Sequence, residues 1–261
     1  MILSALEHVE KIAARSGRVA VFLDYDGTLT PIVSHPENAL LSDSMRQALQ
    51  ELSARAPVAI LSGRDLNDVR RRVDVDGIVY AGSHGFDIAG PRGLRRQVAT
   101  EFLPNLDAAE NELHGALNEI PGSQVERKRF SVAAHYRNVE ENDIPRVQRG
   151  VDAVAAQHYE LRRINGKKVY ELVPAIDWDK GKAVVWLLET FGSAGGTLHP
   201  IYIGDDTTDE DAFRALKQMG VGILVSEESQ PTAASYSLKD PAEVERFLRA
   251  LTAHRARTDS D

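Results

Sequence analysis

The residues best placed to do chemistry are carboxylates gathered in two short clusters. Asp24-Tyr25-Asp26-Gly27-Thr28 follows the apolar run Val19–Leu23, and Gly204-Asp205-Asp206-Thr207-Thr208-Asp209-Glu210-Asp211 follows Ile201–Ile203. A carboxylate at the end of a buried strand can attack phosphorus and form an aspartyl phosphate, which divides one difficult hydrolysis into two easier steps. Asp24 is the candidate nucleophile. A sugar alkoxide is a poor leaving group, so a second carboxyl must protonate it and later deprotonate the attacking water. Asp26, two residues on, is placed for that work. Gly27 lets the backbone turn sharply without a Cβ, and Thr28 can offer a hydroxyl to a phosphoryl oxygen.

A phosphate monoester brings about two negative charges toward these carboxylates, and the repulsion calls for a cation. Hard oxygen donors together with a substrate phosphate select Mg²⁺. Asp205 is expected to bind it directly with Asp24 and the carbonyl of Asp26, while Asp209 serves as a further ligand or an orienting partner. The chain has no cysteine and its 8 histidines show no paired spacing, which argues against a zinc site. Ser62 of Ser62-Gly63-Arg64 follows another apolar run and can donate to a phosphoryl oxygen at a helix N-terminus; Arg64 is grouped with the substrate-binding residues. Lys180 of Asp179-Lys180-Gly181 can hold developing charge electrostatically, with Lys182 as its competitor.

The elements that must position these groups read as alternating strands and helices. Val19–Leu23, Val58–Leu61, Ile78–Ala81, Ile201–Ile203 and Val221–Val225 suit strands buried on both faces of a parallel sheet. Helical patterns at Ser42–Arg55, Asp65–Val73, Gly181–Phe191 and Asp209–Met219 lie between them, which gives a doubly wound α/β fold with ligands at the carboxyl ends of the strands. The alternation breaks between about Phe102 and Pro174. There the order is helix (Asn105–Glu119), strand (Ser123–Lys128), strand (Ser131–Arg137), helix (Asp143–Gln157), strand (Tyr159–Ile164), strand (Lys168–Val173), with Asn165-Gly166 as a hairpin turn signal. The expected division is a core over 1–102 and 177–261 with an inserted α+β module over 103–176. The N-terminal stretch reads as an amphipathic helix, and the last ten residues as a frayed polar tail.

These motifs resemble those of the haloacid dehalogenase superfamily, and in more detail DYDGTLTPI, GSHG (Gly82–Gly85), the AAHYR stretch ending at Arg137, KVYELVP and GDDTTDEDAF are similar to the trehalose-6-phosphate phosphatases. The resemblance implies a Rossmann-like core with an αββαββ cap of the C2B type, and a Mg²⁺-dependent phosphatase releasing trehalose and phosphate. It also implies that Glu126, Lys128 and Glu171 of the cap read sugar hydroxyls and that His84 touches substrate, with Arg137 and His135 as further candidates. Sucrose-phosphate or mannosyl-glycerate-type phosphatases and a phosphosugar mutase are the alternatives that keep the fold; a non-catalytic phospho-receiver module is the alternative that does not need Asp26 or a cap.

Composition narrows the partners. A net charge of −8 over 261 residues disfavours nucleic acid, which is bound by clustered Lys and Arg. The proposed insert carries 11 acidic and 10 basic residues, so nearly all of the acidity belongs to the core. Within Gln124–Arg137, Arg127, Lys128, Arg129 and Arg137 stand against Glu126 alone, and alternation puts Arg127 and Arg129 on the face opposite Lys128. Arg70-Arg71-Arg72 reads as a solvated helix end, and Gly192–Gly196 as loop composition without the context of a nucleotide-binding turn. The absence of a membrane-length apolar stretch, signal peptide or cysteine leads to the expectation of a cytoplasmic monomer acting on a small sugar phosphate.

Overall fold

The computed structural model describes residues 2–14, 18–192 and 198–258. The chain divides into two compact units, residues 1–95 with 179–261 and residues 96–178. The first unit opens with β1 (Leu3–Ser4), α1 (Val9–Ala13), β2 (Arg18–Leu23), α2 (Asp43–Ser53), β3 (Val58–Leu61), α3 (Leu66–Val73), β4 (Val79–Gly82) and β5 (Asp87–Ala89), and β6 (Arg95–Gln97) leads out of it. The second unit holds α4 (Leu103–Leu117), β7 (Gln124–Lys128), β8 (Ser131–His135), α5 (Ile144–Gln157), β9 (Leu161–Gly166) and β10 (Val169–Pro174). The chain then returns through α6 (Lys180–Gly192), β11 (Leu198–Gly204), α7 (Glu210–Leu216), β12 (Val221–Val225), β13 (Tyr236–Leu238) and α8 (Pro241–Thr258).

The large sheet runs β1-β13-β12-β11-β2-β3-β4-β5-β6. Its strands are parallel from β1 to β4, and β5 runs antiparallel to β4. The central strands are apolar throughout because both of their faces are covered; β3 and β12 are buried at every position. The site depends on one feature of this order. From β2 the chain builds outward to β3 and β4, and on its return it adds β11 to the other flank of β2, so the topology reverses between β2 and β11. Leu23 pairs with Ile203 across that boundary, which brings the ends of both carboxylate-bearing strands side by side.

Local signals explain the helices that wrap this sheet. Ser42 caps α2 by accepting from the backbone N–H of Met45 at 3.1 Å, and Met45, Ala48, Leu49 and Leu52 form the buried stripe of that helix. Met45, Leu49 and Leu52 join a core with Val21, Leu23, Ile60, Ile203, Ile223 and Phe247. In the second unit the four-stranded sheet runs β7-β8-β10-β9 with all pairs antiparallel. Val132, Ala134 and Leu172 project from one face of it into a core with Leu106, Leu113, Val147 and Val151 from α4 and α5.

Several expectations need correction. The N-terminal stretch is not one amphipathic helix: β1 pairs with β13, and α1 covers only Val9–Ala13. The C-terminal tail is helical through Thr258, because Val244, Phe247, Leu248 and Leu251 anchor α8 in the core. Only Asp259–Asp261 of that tail lie outside the described residues, as do Ser193–Gly196 of the glycine-rich loop. Arg72 is not simply solvated: it donates to Asp68 at 2.7 Å and to the carbonyls of Glu37 and Ala39, whereas Arg71 is exposed as expected. The strands β1, β5, β6 and β13 and the helix α8 are additions to the sequence reading.

The loop from α4 to β7 turns at Gly122, whose φ is +82°. A Cβ there would stand 2.0 Å from the carbonyl oxygen of Asn138. Gly122→Ala should therefore lower stability by roughly 2 kcal/mol or more, from strain and the clash together. Denaturant unfolding of the purified protein checks this; an unchanged midpoint would contradict the account of the turn.

Candidate active site

Asp24 stands at the carboxyl end of β2, where its N–H donates to the carbonyl of Ile203 at 2.9 Å. Its carboxylate is buried beside those of Asp205 and Asp209, and ligand oxygens from all three lie within 4.8 Å of one another. Lys180, from the first turn of α6, is 3% exposed and donates at 2.7 Å to Asp24 Oδ1 and at 2.7 Å to Asp209 Oδ1. Lys180 thus supplies the ammonium of this cluster, while the N–H of Lys182 donates to Asp179.

Asp209 is the most heavily bonded of the three. Its Oδ1 also accepts from the Tyr202 hydroxyl at 2.6 Å, and its Oδ2 accepts the N–H groups of Asp205 and Asp206, each at 2.9 Å. Four donors on two oxygens match the acceptor capacity of a carboxylate. Asp209 is thus an orienting group that ties β11 to Lys180. Burial opposes its charge, but Lys180, Tyr202 and the backbone donor overcome this and hold its carboxyl below the usual range. Burial likewise opposes the charge on Lys180, and Asp209 and Asp24 hold its ammonium well above the usual lysine range. Burial pushes Asp24 up; Lys180 opposes that, and Asp209 and Asp205 push further in the same direction.

Two glycines make room for this packing. A Cβ on Gly27, whose φ is +84°, would lie 2.0 Å from Asp205 Oδ2, and one on Gly204 would lie 2.3 Å from Asp209 Cγ. The donor set fits a hard divalent cation: three buried oxygen-bearing groups converge, and a single ammonium leaves them with excess negative charge. Thr28, next to this cradle, is fully buried with no hydrogen-bond partner for Oγ1 among the described residues. A buried hydroxyl of that kind suits a site that receives a polar ligand.

Ser62 ends at the β3 edge of the same crevice, 1% exposed. It is not a helix cap, since α3 starts at Leu66 with Asp65 at its N-cap. Ser62 Oγ accepts the N–H of Arg64 at 3.1 Å, which leaves its O–H to donate. Ser83 and His84 clasp this turn, His84 N–H donating to the Ser62 carbonyl at 2.9 Å and Ser83 N–H to that of Arg64 at 2.7 Å. Both have positive φ, 47° and 56°, and a Cβ on Gly63 would come within 2.8 Å of the His84 ring. His84 is buried here, packed over the turn that carries Ser62.

Arg64 is bonded to protein carboxylates. Its Nε donates to Asp26 Oδ2 and its Nη2 to Asp26 Oδ1, both at 2.7 Å, and Nη1 reaches Asp68 Oδ2 at 3.0 Å. Its guanidinium also lies 5.4 Å from the centre of the Tyr25 ring. Asp26, with 41% of its side chain exposed, is therefore held by a bidentate clamp that the spacing of the two motifs does not reveal.

The second unit carries its own polar cluster. Glu126, Lys128, Ser131, Ala133, His135 and Glu171 share the face of the small sheet opposite its core, as the pairings of Ala133 with both Glu126 and Glu171 require. Lys128 Nζ donates to Glu171 Oε1 at 3.0 Å, and His135 Nε2 lies 2.8 Å from Glu126 Oε2. Arg137 lies apart from them and donates to the carbonyl of Lys167. Arg127, on the other face, pairs with Asp107 at 2.7 Å.

Asp24 and Asp26 after β2, the buried Lys180 and the acidic end of β11 meet at the switch point of a parallel sheet, and together they form the kind of site that phosphoryl transfer from a monoester needs. The trehalose-phosphatase profile matches residues 22–242. The chain is 44% identical to the probable trehalose-phosphate phosphatase 4 of rice, over 98% of this chain and 72% of that protein. It is 45% identical to the trehalose-phosphate phosphatase of Mycobacterium bovis, over 95% of this chain and 64% of that one. The structure of the Candida albicans trehalose-6-phosphate phosphatase C-terminal domain superposes with a TM-score of 0.86 at 23% identity, covering 97% and 98% of the two chains. The chain belongs to the trehalose-phosphatase family.

Tyr202 and the Arg64 clamp are the parts of this site that sequence reasoning missed. Tyr202 sits in an apolar strand, and nothing in IYIGDD marks its hydroxyl as bonded seven residues ahead. Tyr202→Phe removes one donor from Asp209 Oδ1, so the rate of phosphate release should fall roughly 5- to 10-fold, with about 1 kcal/mol lost in stability. A fall below twofold would show that Lys180 and the backbone donors suffice. Gly27→Ala should abolish turnover, because the added carbon would displace Asp205; turnover above a tenth of wild type would contradict that steric account.

Proposed function

We propose that this chain hydrolyses trehalose 6-phosphate to trehalose and inorganic phosphate through a phosphorylated Asp24. The observation that carries the reading is the buried lysine bridging Asp24 and Asp209 at 2.7 Å each, within a chain of the trehalose-phosphatase family. Asp24 attacks phosphorus as the bond to the sugar oxygen breaks, and Asp26 gives that oxygen its proton. In the second half-reaction water attacks phosphorus, the bond to Asp24 breaks, and Asp26 takes the water's proton. Lys180, the Ser62 hydroxyl and the Thr28 hydroxyl stabilise the charge on the phosphoryl oxygens through both steps. Arg64 orients Asp26.

The residues that would hold Mg²⁺ are Asp24, Asp205 and the carbonyl of Asp26, with Asp209 orienting them; the ion would offset the negative charge of the phosphoryl group. The sugar is read by Glu126, Lys128 and Glu171, whose charged groups suit paired donation to and acceptance from hydroxyls. His84, packed on the Ser62 turn, and Arg137, bonded to the Lys167 carbonyl, complete the assignment. The protein works as a cytoplasmic monomer.

Phosphate release from a panel of sugar phosphates, with and without EDTA, tests the reading. Trehalose 6-phosphate should be turned over at least tenfold faster than glucose 6-phosphate, EDTA should stop the reaction, and added Mg²⁺ should restore it. Asp24→Asn should retain less than a few per cent of wild-type turnover. Equal activity on the two sugars would refute the substrate assignment, and substantial turnover by Asp24→Asn would refute the covalent route.

A further inference from the structure

We infer that Ser131 and His135, the second named in the sequence only as a further substrate candidate, are positioning residues that set the spacing of the two sugar-reading carboxylates. The inference rests on the assignment of Glu126 and Glu171 to sugar binding.

The register of the small sheet carries the argument. β8 lies between β7 and β10, and Ala133 pairs with Glu126 on one side and Glu171 on the other. The two glutamates thus start from the same rung, flanking a methyl group, and free side chains there would sample overlapping space. They are drawn in opposite directions instead. The Ser131 hydroxyl, two residues before Ala133, donates to Glu171 Oε1 at 2.5 Å, and Lys128, which pairs with Ser131 across the strands, donates to the same oxygen at 3.0 Å. The His135 ring, two residues after Ala133, bonds Glu126 Oε2 at 2.8 Å; a carboxylate only accepts, so Nε2–H is the donor.

Four residues of extended strand separate these anchors, roughly 13 Å at the usual rise. Two donors on one oxygen of Glu171 also fix the rotation of its carboxylate, which a single flexible lysine would leave free. Hydrogen bonds to carboxylates are among the stronger ones, so loss of either anchor should loosen its glutamate measurably. Glu171 and Ser131 are buried, 3% and 0% exposed, and burying an ionised carboxylate with a serine hydroxyl and a lysine is costly unless its geometry has a use. Two carboxylates drawn apart along β8 present their free acceptor positions to well-separated hydroxyls, which two mobile side chains would not.

The test compares kcat/KM for trehalose 6-phosphate with kcat/KM for p-nitrophenyl phosphate, which has no sugar, in Ser131→Ala, His135→Asn, Glu171→Gln and Glu126→Gln and in the pairs S131A/E171Q and H135N/E126Q. Ser131→Ala and His135→Asn should each lower the ratio of the two constants roughly tenfold, mainly through a higher KM for the sugar phosphate. Each should have no further effect once its own glutamate is already glutamine, a dependence that a merely structural role would not produce. If the glutamate variants lower the ratio and Ser131→Ala and His135→Asn do not, or if they act additively with them, the positioning inference is overturned. If Glu171→Gln and Glu126→Gln themselves leave the ratio at its wild-type value, the sugar-reading assignment beneath it fails instead. Should Ser131→Ala be too unstable to assay, the more exposed His135 decides alone, with thermal unfolding reporting the fold of each variant.

Discussion

The arrangement of the first unit depends on one buried ammonium. Lys180 places its charge between Asp24 and Asp209 with almost no exposure to solvent, and it opposes the penalty that burial puts on both carboxylates. The lysine in turn keeps its proton because both partners are within 2.7 Å. The arrangement reaches further through Asp209, whose other oxygen fixes the backbone of Asp205 and Asp206 and so the direction in which Asp205 leaves β11. Each group is held by the next, and each is separated from the others in sequence: Asp24 ends β2, Lys180 opens α6, and Asp209 lies beyond β11. The site can assemble only once the chain has completed the second unit and returned to pair β11 with β2.

Close approach of charged groups requires empty space at the right atoms, and the two motif glycines provide it. Gly27 combines a left-handed turn with the absence of a Cβ that Asp205 would meet, and Gly204 lets the Asp209 carboxylate fold back over the end of its own strand. These two positions carry steric constraints as strict as the chemical ones on the aspartates beside them. The strained pair Ser83–His84 has a related role, since its backbone N–H groups close the turn that holds Ser62 and Arg64. The energy stored there is offset by two backbone hydrogen bonds and by burial of the His84 ring.

How much of this was legible in the sequence follows from the range of the interactions. The carboxylate clusters and the Ser62 turn stand at the ends of apolar strands, so linear pattern and strand periodicity locate them, and Lys180 is marked by Asp-Lys-Gly at the start of the helix that follows the insert. The order of helices and strands in 103–174 was readable for the same reason. The short strands β1, β5, β6 and β13 were not, because two or three residues carry no period. Arg64 illustrates the other limit: residues 26, 64 and 68 meet only in three dimensions, and an arginine two residues after Ser62 reads equally well as a phosphate ligand. Tyr202 looked like one more large residue in a buried strand. In the second unit, residues 126, 128 and 171 are marked by resemblance, and His135 as a further substrate candidate, while Ser131 and the bond from His135 to Glu126 emerge only from cross-strand register.

The two units handle charge in different ways. In the first, a buried excess of carboxylates over ammonium is a defect for folding that a divalent cation would repair, and the same excess keeps the cluster open to one. In the second, each acidic group has its own donor: Lys128 and Ser131 for Glu171, His135 for Glu126. A surface so paired holds less excess charge than the cluster of the first unit. It can offer strong donors and acceptors to uncharged hydroxyls without attracting anions or metal ions in their place. For the reaction proposed above, an insert with nearly balanced charge in a chain of net −8 has a physical consequence: a second surface as acidic as the first unit would compete with it for a cation.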